Sequence, residues 1–280
     1  MNDQPRNPST ALWMRHEPGV PVLTGINRGG LKTLYIKEVR RFFKVHLQTI
    51  WAPAVTTMLY LVIFTVALGR SGRTIMGFHF ADFIAPGLIA MAMMQNAFAN
   101  ASFSLLIGKV QGNIIDYLMP PLSTGEMIAG LVGAAVTRAV LVGVAVWLAM
   151  LLWPGVSVDV RRPELVLWFG LMGSLLLGFL GLLTSLWAEK FDHNAAITNF
   201  VVSPLSLLSG TFYSVEQLTP AFRAISHANP FFYVISGFRA GFLGVSDSPL
   251  LIGGLGLLAL NIALCALCYA LLKSGWRIKN

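Results

Sequence analysis

Asn229-Pro-Phe-Phe-Tyr-Val-Ile-Ser-Gly-Phe-Arg-Ala-Gly-Phe-Leu-Gly244 closes a longer stretch, Phe200 to Gly244, that is mostly apolar yet unfit to cross a bilayer as one helix. Pro204, Gly210, Pro220 and Pro230 interrupt it, and Glu216, Arg223, His227 and Arg239 punctuate it at uneven intervals. As a helix, its last apolar piece, Phe231 to Gly244, would be about 20 Å long, short of the ~30 Å hydrocarbon core. Interrupted backbone persists at membrane depth only where protein or a water-filled cavity takes up its N–H and C=O groups. The stretch therefore predicts a helix that leaves the membrane, turns and dips part-way back. Asn229, Pro230, Tyr233, Gly237, Arg239 and Gly241 are the candidate residues of that re-entrant outer element.

The surrounding chain sets the class. Its 280 residues are 55% hydrophobic and only 11% charged, with a mean hydropathy of +0.69. Soluble domains carry about 25% charged residues. Apolar runs long enough to span recur without period-two alternation, which predicts an all-α polytopic membrane protein and argues against a β-barrel. The net charge of +8 gathers beside the spans, as the positive-inside rule expects, so no nucleic-acid partner is implied. Cys265 and Cys268 both fall in the last apolar run, where packing explains them better than a metal site.

Residues 1–28, with four prolines and scattered charges, predict a flexible arm. Residues 29–46 predict an amphipathic interfacial helix. Leu31, Leu34, Tyr35, Val39 and Phe42 fall on one side and Lys37, Arg40, Arg41 and Lys44 on the other, suited to anionic lipid headgroups. The first apolar run starts near Leu47, too late and too long for a cleaved signal peptide, so it is expected to anchor the chain. Six spans are expected at about 47–68, 83–107, 127–153, 165–187, 195–213 and 248–272, before a basic tail at 273–280. Eight Lys and Arg precede span 1, and Lys109, Lys190, Lys273, Arg277 and Lys279 fall on the same side. Arg70, Arg73, Arg161, Arg162, Arg223 and Arg239 fall on the other, which puts both termini in the cytoplasm and the interrupted stretch at the outer face.

Chemistry inside the spans is sparse. Arg138 is the one charge well inside a predicted span, with no acid at its depth, so it must use Gln95, Asn96 or Asn100, a water-lined space, or a lipid phosphate. Those three amide residues fall in span 2, as helix–helix glue or as the lining of a path. Pro86 in span 2 and Pro204 in span 5 break corresponding spans of the two halves, a weak echo of an inverted repeat that also reads as two independent prolines. Pro204 and Gly210 join the candidate pathway or packing residues. Gly170, Gly173, Gly178, Gly181 and the Gly237-x-x-x-Gly241 pair permit close helix approach.

There is no phosphate-binding loop: Gly108-Lys109 is followed by Val. No membrane-buried carboxylate or histidine stands ready to relay protons, and no nucleophile–base set is apparent. An ion-gradient-driven carrier and a membrane-embedded lipid-modifying enzyme are thus the weaker alternatives to a subunit that borrows energy from a partner. A place for that partner is the loop Gly108 to Glu126. Its Ile114, Ile115, Leu118 and Met119 make it amphipathic, Pro120-Pro121 stop it, and Ser123 with Glu126 fits a capping box for span 3.

With these residues in view, the chain resembles the ABC-2 type transport permeases, the membrane subunits of ATP-binding-cassette exporters. The resemblance rests on Phe83-Ile-Ala-Pro-Gly-Leu88, Asn113-Ile-Ile-Asp-Tyr-Leu-Met-Pro-Pro-Leu-Ser123, Ser203-Pro-Leu205, Gly210-Thr-Phe-Tyr-Ser214 and Asn229 to Gly244. It covers about 250 residues, excludes the first 28, and looks closest to the branch of lipo-oligosaccharide, polysaccharide and drug exporter permeases. It implies a six-span subunit of a bacterial inner membrane, paired with a second permease copy and seated on separate ATPase subunits. It implies that this chain binds no cofactor itself, ATP and Mg²⁺ being held by the partner. Asn113, Asp116, Leu118, Pro120 and Pro121 would then form a coupling helix, and the interrupted stretch would be the short outer helices between spans 5 and 6.

Overall fold

A computed structural model describes residues 25–68 and 74–277. Most of the expected arm, Arg70 and Arg73, and the last residues of the tail lie outside the described residues. Helix α1 is Arg28–Phe43. A π-helical segment, Leu47–Trp51, leads into α2, Ala52–Leu68. A small hairpin of β1 (Thr74–Ile75) and β2 (Phe78–His79) precedes α3, Phe80–Val110. Then follow α4 (Ile115–Leu118), α5 (Thr124–Leu151) and α6 (Pro163–Trp187). One helical run joins α7 (Phe191–Ile197), a π-helical turn (Thr198–Val202) and α8 (Ser203–Leu207). After it come α9 (Pro220–Ala228), α10 (Pro230–Leu243) and α11 (Leu250–Ser274).

Local chemistry sets these limits. Asn27 caps α1 by accepting from the Gly30 N–H, and Ser123 with Glu126 forms the full capping box expected of α5. Pro163, Pro220 and Pro230 start their helices, where a missing N–H costs nothing. Gly244 and Gly275 end theirs at φ of 79° and 69°, a conformation side-chain-bearing residues resist.

Helix α3 is the axis of the fold. Phe83, Ile84, Ala85, Leu88, Ala97, Phe98 and Ala101 are buried, and α5, α6 and α10 pack around it. Glycines permit the approach: a Cβ on Gly181 would lie 2.6 Å from the Phe98 carbonyl and 3.0 Å from the Ser102 nitrogen. Phe169 packs against Gly237, Val166 against Gly241, and Val234 against Gly173, so the small residues of α6 and α10 serve each other. By contrast, Trp51, Val55, Leu59 and Ile63 of the first span and Leu251, Ile252, Leu255 and Ile262 of α11 face outward. Such apolar faces suit lipid or another apolar surface.

Four helical stretches are long and apolar enough to cross a membrane: Leu47–Ala67, Thr124–Leu151, Pro163–Trp187 and Leu250–Ser274. The other two expected spans differ in kind. Helix α3 is ample in length at about 46 Å but carries Gln95, Asn96, Asn100, Ser102 and Ser104. Expected at 195–213, span 5 is helical over 191–207, roughly 25 Å, and stops before Gly210 turns the chain at φ 75°.

Three expectations need correction. Pro86 does not break its span: it sits in the second turn of an unbroken α3, where the loss is one hydrogen bond near an end. Pro204 likewise leaves its run helical, because the π-helical turn before it absorbs the change of register. The paired breaks that suggested an inverted repeat are therefore not breaks. Arg41, assigned to the polar side of the amphipathic helix, instead turns inward against α3.

Replacing Gly181 with leucine should wedge α3 from α6 and cost about 1–3 kcal/mol. Alanine at Gly256, which faces open space, should leave stability within ~0.5 kcal/mol. Thermal unfolding of both variants in detergent checks the contrast.

Candidate functional site

At one end of the bundle the interrupted stretch is organised around Arg239, which is 1% exposed. Its Nε donates to the Phe83 carbonyl at 3.2 Å, and its Nη2 to the carbonyls of Gly210 at 2.7 Å and Thr211 at 3.4 Å. Nη1 pairs with Asp247 Oδ2 at 3.1 Å, and the guanidinium lies 3.8 Å from the centre of the Phe83 ring. Asp247 is completed by the Ser214 hydroxyl at 2.7 Å. Gly87 makes room, since a Cβ there would stand 3.3 Å from Arg239 Nη2. One cation thus satisfies the carbonyls of a turn that cannot satisfy itself.

The same logic covers the other breaks. Asn229 donates from Nδ2 to the Leu205 carbonyl at 2.7 Å and accepts from the Phe231 N–H at 3.0 Å. Tyr233 donates to the His227 carbonyl at 3.1 Å, and its ring packs on Gly253 of α11. All six residues assigned to the re-entrant element therefore fall in one connected unit with α3, α6 and α11.

At the opposite end, α4 is held from beneath. Tyr117 is buried and donates to Glu38 Oε1 at 3.0 Å. Glu38 Oε2 accepts from Ser104 Oγ at 2.9 Å and pairs with Arg41 Nη2 at 2.9 Å. The Lys37 ammonium sits 3.7 Å from the centre of the Tyr117 ring. Burial, reinforced by the Glu38 carboxylate, pushes the Tyr117 phenol above its ordinary pKa, so it stays a hydrogen-bond donor. On the far side of the loop, Asn27 donates from its amide nitrogen to the Pro121 carbonyl at 3.1 Å and from its backbone to Glu126. The backbone N–H of Ser123 donates to Glu126 Oε2 at 2.7 Å.

What this clamp presents outward is apolar: Ile115, Leu118 and Met119 are 57%, 41% and 78% exposed. Asn113, Asp116, Pro120 and Pro121 are exposed beside them. The five residues assigned to coupling thus share one exposed, braced edge.

Between the two ends, α3 carries the amides. Asn96 Oδ1 accepts from Arg138 Nη2 at 2.9 Å, so Arg138 uses one of its three expected partners. One turn further, the Asn100 backbone carbonyl and Oδ1 accept from Arg41 Nη2 at 2.8 and 3.3 Å. Gln95 and Asn96 line two grooves: one of about 300 Å³ against Gln48, Thr56 and Thr57, and one of about 550 Å³ against Asn194, Thr198 and Asn199. Gln95, Asn96, Asn100 and Arg138 come together, whereas Pro204 and Gly210 do not join them. Gly210 belongs to the Arg239 unit.

Sequence reasoning missed Glu38, Arg41 and Asp247. The signal for Glu38 was present: Leu34, Glu38 and Phe42 are spaced i, i+4, i+8, an acid within the buried stripe. Asp247 lay beyond Gly244, just outside the stretch under scrutiny.

Long apolar helices around a central helix that carries buried amides define a multi-pass α-helical membrane protein. The family model described as "ABC-2 type transporter" matches residues 30–243. The chain belongs to the ABC-2 type transporter family. It is 37% identical over 250 residues to the "Inner membrane transport permease YadH" of Escherichia coli K12, covering 89% of this chain and 97% of that protein. It is also similar to "Nodulation protein J" of Rhizobium meliloti, at 26% identity over 233 residues, covering 81% of this chain and 83% of that protein.

Replacing Arg239 or Asp247 singly with leucine should cost about 3–5 kcal/mol by stranding a buried charge. The double replacement should cost less than the two singles added, by more than about 1 kcal/mol. Thermal unfolding of the purified variants measures the non-additivity.

Proposed function

We propose that this chain is the transmembrane subunit of an ABC-type exporter, forming the path across a bacterial inner membrane and driven by a separate cytoplasmic ATPase. The observation that carries this is α4: a short helix fixed by Tyr117 and by Asn27, with an apolar edge that none of the described residues covers. A rigid exposed knob is what a moving partner needs in order to push on the helices behind it. Family membership, and the name of the E. coli relative, support both the transport role and the inner-membrane location.

In this reading α2, α3, α5, α6, the 191–207 run and α11 are the six spans, and both termini face the cytoplasm. Two copies pair so that the grooves around Gln95 and Asn96 face a shared path. ATP and Mg²⁺ bind the partner, whose states differ in affinity for the two arrangements of the permease. The Arg239 unit covers the outer end of the path, and α1 lies in the cytoplasmic headgroup layer.

Asp116→Lys combined with Leu118→Asp should cut transport at least ~10-fold while leaving membrane insertion intact and ATP hydrolysis no longer linked to cargo. Transport at the wild-type level would remove the coupling role. Collapsing the proton gradient with ATP preserved should leave transport running; a halt would favour an ion-gradient carrier. Deleting 216–227 should impair transport more than ATPase binding.

A further inference from the structure

Three buried donor atoms have no hydrogen-bond partner among the described residues and belong to one polar cluster: Arg41 Nη1, Asn100 Nδ2 and Arg138 Nε. Asn100 is 1% exposed. The residues are tied together through α3, because Arg41 is bonded to Asn100 and Arg138 to Asn96, one helical turn away. Glu38 is the cluster's one carboxylate and is already engaged by Arg41, Ser104 and Tyr117. Two cations against one anion leave an excess positive charge among orphaned donors. Water could satisfy the donors, but it carries no charge to offset the excess.

Arg41, and Glu38 beside it, border open space. Arg41 forms part of the wall of a cavity of about 840 Å³ between α1 and the loop end of α3. Lys37, Arg40 and Lys44 line the same cavity, and none of them forms an ion pair among the described residues. Donors of this kind, guanidinium and amide N–H groups beside an excess positive charge, match an oxyanion with more than one oxygen, and phosphate above all.

We propose that Arg41, Asn100 and Arg138 form a phosphate-binding site, entered from the basic cavity beside α1 and filled by the phosphate of an anionic lipid headgroup or by free phosphate. The site goes beyond the exporter reading, since it needs neither a bound ATPase nor a particular cargo. A lipid source matches the placement of α1 at headgroup level, where phosphates are dense.

The test uses the full-length chain, delipidated in maltoside micelles. Phosphatidylglycerol is titrated in one arm and inorganic phosphate in the other, with binding read by native mass spectrometry and by the shift in apparent Tm. Wild type should bind saturably, and Arg138→Gln should weaken binding at least ~10-fold. Asn100→Asp keeps the shape but supplies a fixed carboxylate in place of the anion. It should lose binding while its ligand-free apparent Tm equals or exceeds that of wild type, which keeps the test decisive if Arg138→Gln does not fold. Binding of lipid alone assigns the site to headgroups, and binding of both to phosphate in general. No binding by wild type in either arm, wild-type binding by Asn100→Asp, or a lower ligand-free Tm for that variant would overturn the proposal.

Discussion

A guanidinium in a place without water is the constraint on which the Arg239 end of this protein depends. The chain between α8 and α11 turns at Gly210, restarts at Pro220 and Pro230, and turns again at Gly244. Each turn frees backbone carbonyls that need a partner once they are buried. Arg239 answers several at once, on α3 and on the Gly210 turn, while Asp247 supplies its countercharge. Because the bonds reach residues 28 and 156 positions away in sequence, the arginine also fixes where α10 sits against the central helix. An ion pair of this kind adds little net stability, since desolvation offsets most of the attraction. What it contributes is a single permitted arrangement for backbone that would otherwise have none.

The opposite end uses a buried anion in the complementary way. Glu38 gathers a hydroxyl from α3, a phenol from α4 and a guanidinium from its own helix. A displacement of α4 is therefore felt by α1 and α3 together rather than by the loop alone. Above that anion the amides of α3 continue as Asn100 and Asn96, each holding an arginine. The central helix is polar along the side that meets α1 and α5 and tightly packed along the side that meets α6, where Gly181 admits it. Structural and functional demands are thus divided between faces of one helix.

Much of this was legible in the chain. Apolar length placed α2, α5, α6 and α11 within a few residues, and the Ser123–Glu126 capping box marked the start of α5 correctly. The interruption of the chain between Gly210 and Gly244 was visible from its prolines and from a last helix of only fourteen residues. What the sequence concealed were contacts set by tertiary geometry. Pro86 looks like a break in one dimension but costs little near a helix end. Arg41 carries the same charge as Arg40 and Lys44, and only its angular position next to Glu38 turns it inward. Arg138 announced the need for a partner, and its choice of Asn96 required knowing which faces of α3 and α5 meet.

In the proposed orientation the Arg239 unit and the α4 knob lie on opposite sides of the membrane, the first outside and the second in the cytoplasm. Single cysteines at Phe222 of α9 and at Met119 beside α4, both exposed, report on it directly once Cys265 and Cys268 are replaced. In intact cells a membrane-impermeant maleimide should label the residue-222 cysteine and spare the residue-119 cysteine until the membrane is opened. Labelling of both from outside, or of the residue-119 cysteine alone, would contradict the account.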